Sequence, residues 1–228
     1  MSTAVEPLVA GQRMSRGEFH ERYEATPDGK FELIGGVVFM ASPLGRSHGS
    51  FHSIANGWLV VYQFHTPGVE VFDNASAALD DLSEVQPDVS LRIKPENGGQ
   101  SRDFGSIIGG APELVVEVSD SSRRIDLGPK LLDYERAGVL EYVVLLTGPA
   151  EVVWHARREG RLVRVGPGGD GLYRSSAFPG LWLDPIALIS SDGPTLLAVL
   201  GQGLATPEHA DFVARLAAAI TNPTGDTP

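Results

Sequence analysis

The sequence predicts an α/β (α+β) protein in which a mixed β-sheet is flanked by helices. Short apolar runs of strand length alternate with stretches of helical spacing along most of the 228 residues. Within residues 112–146 the order is strand, helix, strand, which calls for a right-handed crossover and a parallel pair. The composition, 42% hydrophobic and 21% charged, is that of a globular chain with enough length for a core.

Residues 1–13 carry no periodicity and read as a loose N-terminal arm. Ser15-Arg16-Gly17-Glu18 has capping-box spacing and opens a short helix to about Tyr23. Pro27-Asp28-Gly29 is a turn. Residues 31–34 and 37–40 are strands joined through the two-residue turn Gly35-Gly36. Ser47 starts a second helix, to roughly Phe64, whose apolar face carries Phe51, Ile54, Ala55, Trp58, Leu59 and Tyr62. Strands follow over 69–73 and 75–79. Residues 94–110, rich in Gly, Asn and Ser, are long for a plain connection and form either a gating flap or a disordered hairpin tip. Asp126 fits the N-cap of a helix that Gly138 ends. A buried strand over 141–146 precedes a hairpin, 152–155 with 162–165, a flexible loop over 166–171, and the packing segment Leu181-Trp182-Leu183. Thr206-Pro207 opens a last helix, whose Phe212, Val213, Leu216 and Ile220 are either a cap on the domain or a dimer contact. The expected division is an arm over 1–13, a domain over 14–189, and an extension over 190–228 with one helix.

The chemistry centres on a misplaced charge. Glu117 stands late in the apolar run Leu114-Val115-Val116-Glu117-Val118, and a carboxylate is seldom fully buried unless it is paired or binds a metal. Lys130, one of three lysines in the chain, follows on the next helix and can neutralise it. Asp88 precedes another buried strand in Gln86-Pro87-Asp88-Val89, although Pro-Asp is also ordinary turn chemistry. Two carboxylates at the ends of adjacent strands, with an amine beside them, are the parts of metal-assisted phosphodiester hydrolysis. Glu32, among apolar neighbours in the first hairpin, is either a third site carboxylate or a glutamate on a solvated strand face. His48 and His52 share a helix side, but without a third ligand a zinc site is disfavoured. His48 at the helix start fits a contact to substrate phosphate or to a site carboxylate; His52 fits a structural role. Glu113 and Glu117 as a glycosidase pair would stand roughly 13 Å apart along a strand, more than that chemistry uses.

These residues, in this order, resemble those of the Uma2 family within the PD-(D/E)xK nuclease superfamily. The likeness is carried by Phe31-Glu32-Leu33-Ile34-Gly35-Gly36, Ser42-Pro43 followed by His48, and Gln86-Pro87-Asp88-Val89. It continues through Ala111-Pro112-Glu113-Leu114-Val115-Val116-Glu117-Val118-Ser119, Asp126-Leu127, Lys130, Tyr134, Ala137-Gly138-Val139 and Glu141-Tyr142. It covers roughly residues 14–189. The resemblance implies a restriction-endonuclease-like fold and an endonuclease that cuts DNA with Mg²⁺ or Mn²⁺. Asp88, Glu117 and the Val118 carbonyl would hold the metal. Lys130 would position the water, and Glu32 would be a further ligand or general base. His48 would meet the substrate; apart from the likeness, Arg123 and Arg124 form a basic pair that would meet phosphates. The chain departs from the superfamily at Ser119, where the usual strand lysine is absent; the resemblance implies that Lys130, on the following helix, takes that place.

The bulk properties constrain this expectation. A net charge of −11 opposes nucleic-acid binding, which ordinarily draws on basic surface. Hence the alternative is a nuclease-like fold without activity, serving as a module that binds nucleic acid or protein. Fifteen of the 18 basic residues are Arg, which favours bidentate phosphate contacts. No apolar run reaches the roughly 20 residues of a membrane span. The N-terminus lacks a secretory layout. Zero cysteines exclude disulfides and thiolate sites. The expectation is a cytoplasmic protein, and a homodimer would suit the cutting of both strands.

Overall fold

The structure, a computed structural model, describes residues 6–25, 29–41 and 44–221. The turn expected at Pro27-Asp28, the Ser42-Pro43 pair and residues 1–5 of the arm lie outside them. In chain order the strands are β1 (Phe31–Ile34), β2 (Val37–Met40), β3 (Val69–Asp73), β4 (Ala77–Asp80), β5 (Ser83–Val85), β6 (Val89–Ile93) and β7 (Arg102–Phe104). They continue with β8 (Ile107–Gly109), β9 (Leu114–Ser119), β10 (Glu141–Leu146), β11 (Glu151–Arg158), β12 (Arg161–Val165), β13 (Tyr173–Arg174) and β14 (Trp182–Leu183). The helices are α1 (Arg16–Ala25), α2 (Arg46–His65), α3 (Arg123–Ile125), α4 (Leu131–Ala137), α5 (Pro185–Ile189), α6 (Gly193–Leu204) and α7 (Pro207–Thr221). A π-helical turn, Asp126–Lys130, joins α3 to α4.

The strands form two large mixed sheets rather than one. The first has the order β2-β1-β5-β4-β8-β7 and the second β12-β11-β10-β9-β6-β3; β13 and β14 pair separately. As the strand–helix–strand order requires, β9 and β10 are parallel, with Glu117 beside Val144. Gly35 and Gly36 turn the β1–β2 hairpin at φ 56° and 76°, values that favour glycine at both positions.

Both faces of the second sheet are covered, which is why β9 reads as an almost unbroken apolar run. Leu114, Val116 and Val118 face a core with Trp58, Leu59 and Tyr62 of α2 and with Leu196, Leu200 and Phe212 of α6 and α7. Val115 faces the opposite way, toward Ile34 and Val85 of the first sheet and Tyr134 of α4. Strand alternation puts Glu117 on the Val115 face. That face looks into the space between the sheets, where the site lies.

Three expectations change. The described part of the arm is not loose. Gly11 N–H donates to the Val38 carbonyl, Val38 N–H donates to Gln12, and Leu8 is buried with Phe19 and Leu33. The free edge of β2 takes this partner, a pairing without periodicity. Asp126 is no N-cap: the chain is already helical at Arg123, and the Asp126 side chain is buried, bonded to Ser122. Among its described residues the extension holds two helices rather than one, α7 and an α6 that Asp192 caps by accepting from Thr195 N–H. Helix α7 caps the domain through Phe212 and Leu216, with Asn97 donating to the Leu216 carbonyl and His209 meeting Thr66; Ile220 stays exposed.

The segment 94–110 is an ordered hairpin, because β8 pairs with β4 and Glu113 ties down its base. The Glu113 carboxylate accepts Ile93 N–H at 2.9 Å and Gln100 N–H at 2.8 Å. Removing it strands two amide donors, and each buried donor left alone costs about 1–3 kcal/mol. Glu113→Ala is therefore expected to speed amide hydrogen exchange across 94–110 while leaving β10 and β11 protected. Unchanged exchange there would show that the hairpin is held by its strand pairing alone.

Candidate active site

The cleft between the sheets, about 140 Å³ in volume, is lined by β1 and β2, the start of α2, the ends of β6 and β9, and the α3 turn. Strand register explains its floor. β6 and β9 are antiparallel with Val89 opposite Val116, so the next step sets Asp88 against Glu117. Directly opposite residues share a face with Cβ atoms roughly 4.5–5.5 Å apart. Asp88 is fixed by Val118 N–H, which donates to its Oδ2 at 2.7 Å.

Lys130 reaches the floor from the π-helical turn, whose Gly128 is non-helical (φ −126°, ψ −110°) just before Pro129. Its ammonium lies 2.8 Å from Glu117 Oε1 and 2.9 Å from Glu32 Oε1. Tyr134, one turn further on, donates its hydroxyl to the same Glu117 oxygen at 2.8 Å. Glu32 therefore faces inward, not to solvent, and also accepts Gln86 N–H at 2.7 Å. Asp126, one turn before Lys130, lines the same cleft.

Two carboxylates, Glu117 and Glu32, thus contact the Lys130 ammonium, and Asp88 and Asp126 line the same cleft. Burial pushes the Glu117 carboxyl well above its ordinary range; Lys130 opposes this, while Asp88, Glu32 and Asp126 add to it. Burial also raises Asp126, against the pull of Lys130. For Asp88, burial would raise the pKa, but His48 and the Val118 N–H outweigh it and hold the carboxyl below its usual value. Burial alone would loosen the Lys130 proton. Glu117, Glu32 and Asp126 outweigh it, so the proton is held more tightly than in free lysine.

The other residues expected at the site divide. His48 is buried, with Nε2 3.3 Å from Asp88 Oδ2, beside a site carboxylate. Val118 lines the cleft. Arg123 and Arg124 are exposed on α3, outside the cleft lining but between Ser122 and Ile125, which belong to it.

The sequence matches the family profile described as "Uma2: Putative restriction endonuclease" over residues 16–186. The chain belongs to the Uma2 family. Among solved structures, it is similar to one titled a "putative nuclease belonging to DUF820" from Anabaena variabilis. The two share 15% identity with a TM-score of 0.59, over 78% of this chain and 98% of the other. At that identity the likeness establishes the fold. No curated protein matches the chain.

Within this Uma2 site, Tyr134, Asp126, Gln86 and His52 are neighbours that sequence reasoning did not assign to the centre. Asp126, Lys130 and Tyr134 are spaced by four, a helical signal that an N-cap reading of Asp126 concealed. Gln86 contributes only its backbone N–H, which no side-chain pattern announces. Ser119 stands where the superfamily's strand lysine is expected, and Lys130 brings an ammonium to Glu117 from the following turn instead.

Proposed function

We propose that this protein is a metal-dependent endonuclease that hydrolyses phosphodiester bonds in DNA. The observation that carries the reading is the cleft floor, where Asp88 opposes Glu117 and Glu32 and Asp126 line the same cleft beside the Lys130 ammonium. Such an excess of negative charge, out of water, calls for a cation. The donors are all oxygen, which fits Mg²⁺ or Mn²⁺. Asp88, Glu117 and the Val118 carbonyl would hold the ion, which when bound supplies phosphoryl polarisation and an ionised water.

The chain's own groups supply the rest. Lys130 keeps its proton, so it serves as a hydrogen-bond donor that orients water and offsets charge, not as a base. Glu32, close to that ammonium, is placed to receive a proton from the water. His48 stands beside Asp88 and lines the cleft where a phosphate would enter. At the rim, Lys30 lines the cleft and Arg46, Arg123 and Arg124 are exposed beside lining residues. Basic groups around an acidic floor reconcile a net charge of −11 with a polyanionic substrate, because phosphates meet the rim while the cation screens the floor.

Calorimetry with Mg²⁺ and Mn²⁺, with plasmid cleavage on the same samples, tests this on wild type and Asp88→Ala. The expected result is binding and cleavage by wild type and neither by the variant. Wild type that binds no divalent ion at pH 8 overturns the reading. Metal binding without cleavage of plasmid, single-stranded DNA or RNA would instead support the non-catalytic binding module.

A further inference from the structure

Helix α2 brings two imidazoles to the aspartate of the carboxylate floor. His48 and His52 are one turn apart, and one nitrogen from each ring and an Asp88 carboxylate oxygen lie within 4.8 Å of one another. The rings meet edge to face, with centroids 5.9 Å apart.

Protein partners leave these imidazoles incompletely satisfied. His48 is only 4% exposed, yet its Nδ1 is buried without a hydrogen-bond partner. Its Nε2 stands 3.3 Å from Asp88 Oδ2, beyond the roughly 2.7–2.9 Å of a charge-assisted N–H···O bond. His52 Nε2 is 2.9 Å from Asp73 Oδ1, but the contact does not have hydrogen-bond geometry and that nitrogen is also buried without a partner. The Asp73 oxygen already accepts from the Asn74 amide. Buried polar nitrogens left in this state are costly.

We infer that His48, His52 and Asp88 form a site for a divalent transition metal of the Zn²⁺ type. Imidazole nitrogen favours zinc and its neighbours, whereas Mg²⁺ prefers oxygen. The 3.3 Å between His48 Nε2 and Asp88 Oδ2 matches one edge of a tetrahedron with bonds of roughly 2.0–2.1 Å; the three donor atoms together span up to 4.8 Å, so a bound ion would draw them closer. Three protein ligands leave a fourth position for water or a phosphate oxygen, the pattern of open zinc sites. The site shares Asp88 with the oxygen-ligand centre, but its existence does not depend on hydrolysis.

Metal-stripped full-length protein, titrated with Co²⁺ followed by visible absorption and with Zn²⁺ and Mg²⁺ by calorimetry, provides the test. In His52→Ala, Co²⁺ and Zn²⁺ affinity is expected to fall at least about tenfold, the scale on which losing even an outer-sphere partner is felt, while Mg²⁺ affinity holds. Glu117→Gln is expected to do the reverse. Unchanged Co²⁺ and Zn²⁺ affinity in His52→Ala overturns the inference, and so does equal loss in both variants, which would mean a single centre. Should circular dichroism show His52→Ala unfolded, His52→Gln takes its place with the same outcomes. Co²⁺ binding at the histidines, together with no cleavage of plasmid, single-stranded DNA or RNA in Mg²⁺ or Mn²⁺, would sink the hydrolase reading and leave this site standing.

Discussion

Replacing Lys130 by methionine is expected to cost about 3–5 kcal/mol of stability at pH 8, the scale for breaking a buried ion pair by removing one partner, and much less at pH 5. Methionine fills comparable space, so the loss is one of charge. The ammonium contacts Glu117 and Glu32, whose side chains are only 5% and 13% exposed. The protein's escape is to protonate Glu117. Lys130 is the main group holding that carboxyl down against burial, so its removal raises the pKa further. A carboxyl raised in the folded state contributes stability that is full below the unfolded value, roughly 4.3, and is lost as pH climbs through the folded one. The variant's loss therefore extends to higher pH than the wild type's. The Lys130 ammonium, with its own pKa raised, keeps stabilising the wild type throughout this window. Urea denaturation at pH 5 and pH 8 measures the gap. An equal cost at both would mean that Glu117 does not carry the uncompensated charge.

What could be read from the sequence follows from which residues break a local rule. Glu117 was legible because an acid in a buried strand needs a partner, and Lys130 because lysines are so few. Asp88 needed both the strand after it and the acid opposite. Glu32 was only half legible: alternation says that a strand has two faces, and only the approach of Lys130 from residue 130 decides which is wet. His52 looked structural because its neighbour on the cleft side, Asp88, comes from a strand distant in sequence. The division into two sheets was hidden for the same reason. The pairings β1–β5 and β4–β8 join segments whose own patterns carry no address for one another. Helix α6 went unseen because Gly193, Pro194, Gly201 and Gly203 lower its propensity, and burial against α2 and β14 compensates.

Glu117→Gln is expected to separate stability from metal binding more sharply than any other single change. Glutamine keeps the shape and one carbonyl oxygen, which can still accept from Lys130 and from the Tyr134 hydroxyl. It removes a charge whose burial the fold must sustain in the metal-free state, and it does not leave Lys130 as an unpaired buried charge, because the ammonium keeps Glu32 at 2.9 Å. Metal-free Glu117→Gln should therefore melt at or above the wild-type temperature at pH 8. Wild-type metal-free stability should decline as pH rises from the unfolded carboxyl value through the raised folded value of Glu117, and the variant should lose that part of the slope. Metal reverses the ranking. At a concentration 100 times its Kd, an ion bound only by the folded state adds about 2.7 kcal/mol; wild type should gain this from Mg²⁺ and the variant should gain nothing measurable. Thermal denaturation with and without Mg²⁺ across pH 5–8 reads all three effects together. A variant that still gains stability from Mg²⁺ removes Glu117 from the ligand set. One that is several kcal/mol less stable without metal makes Glu117 the structural anchor of Lys130, placed there to hold the π-helical turn against the sheet.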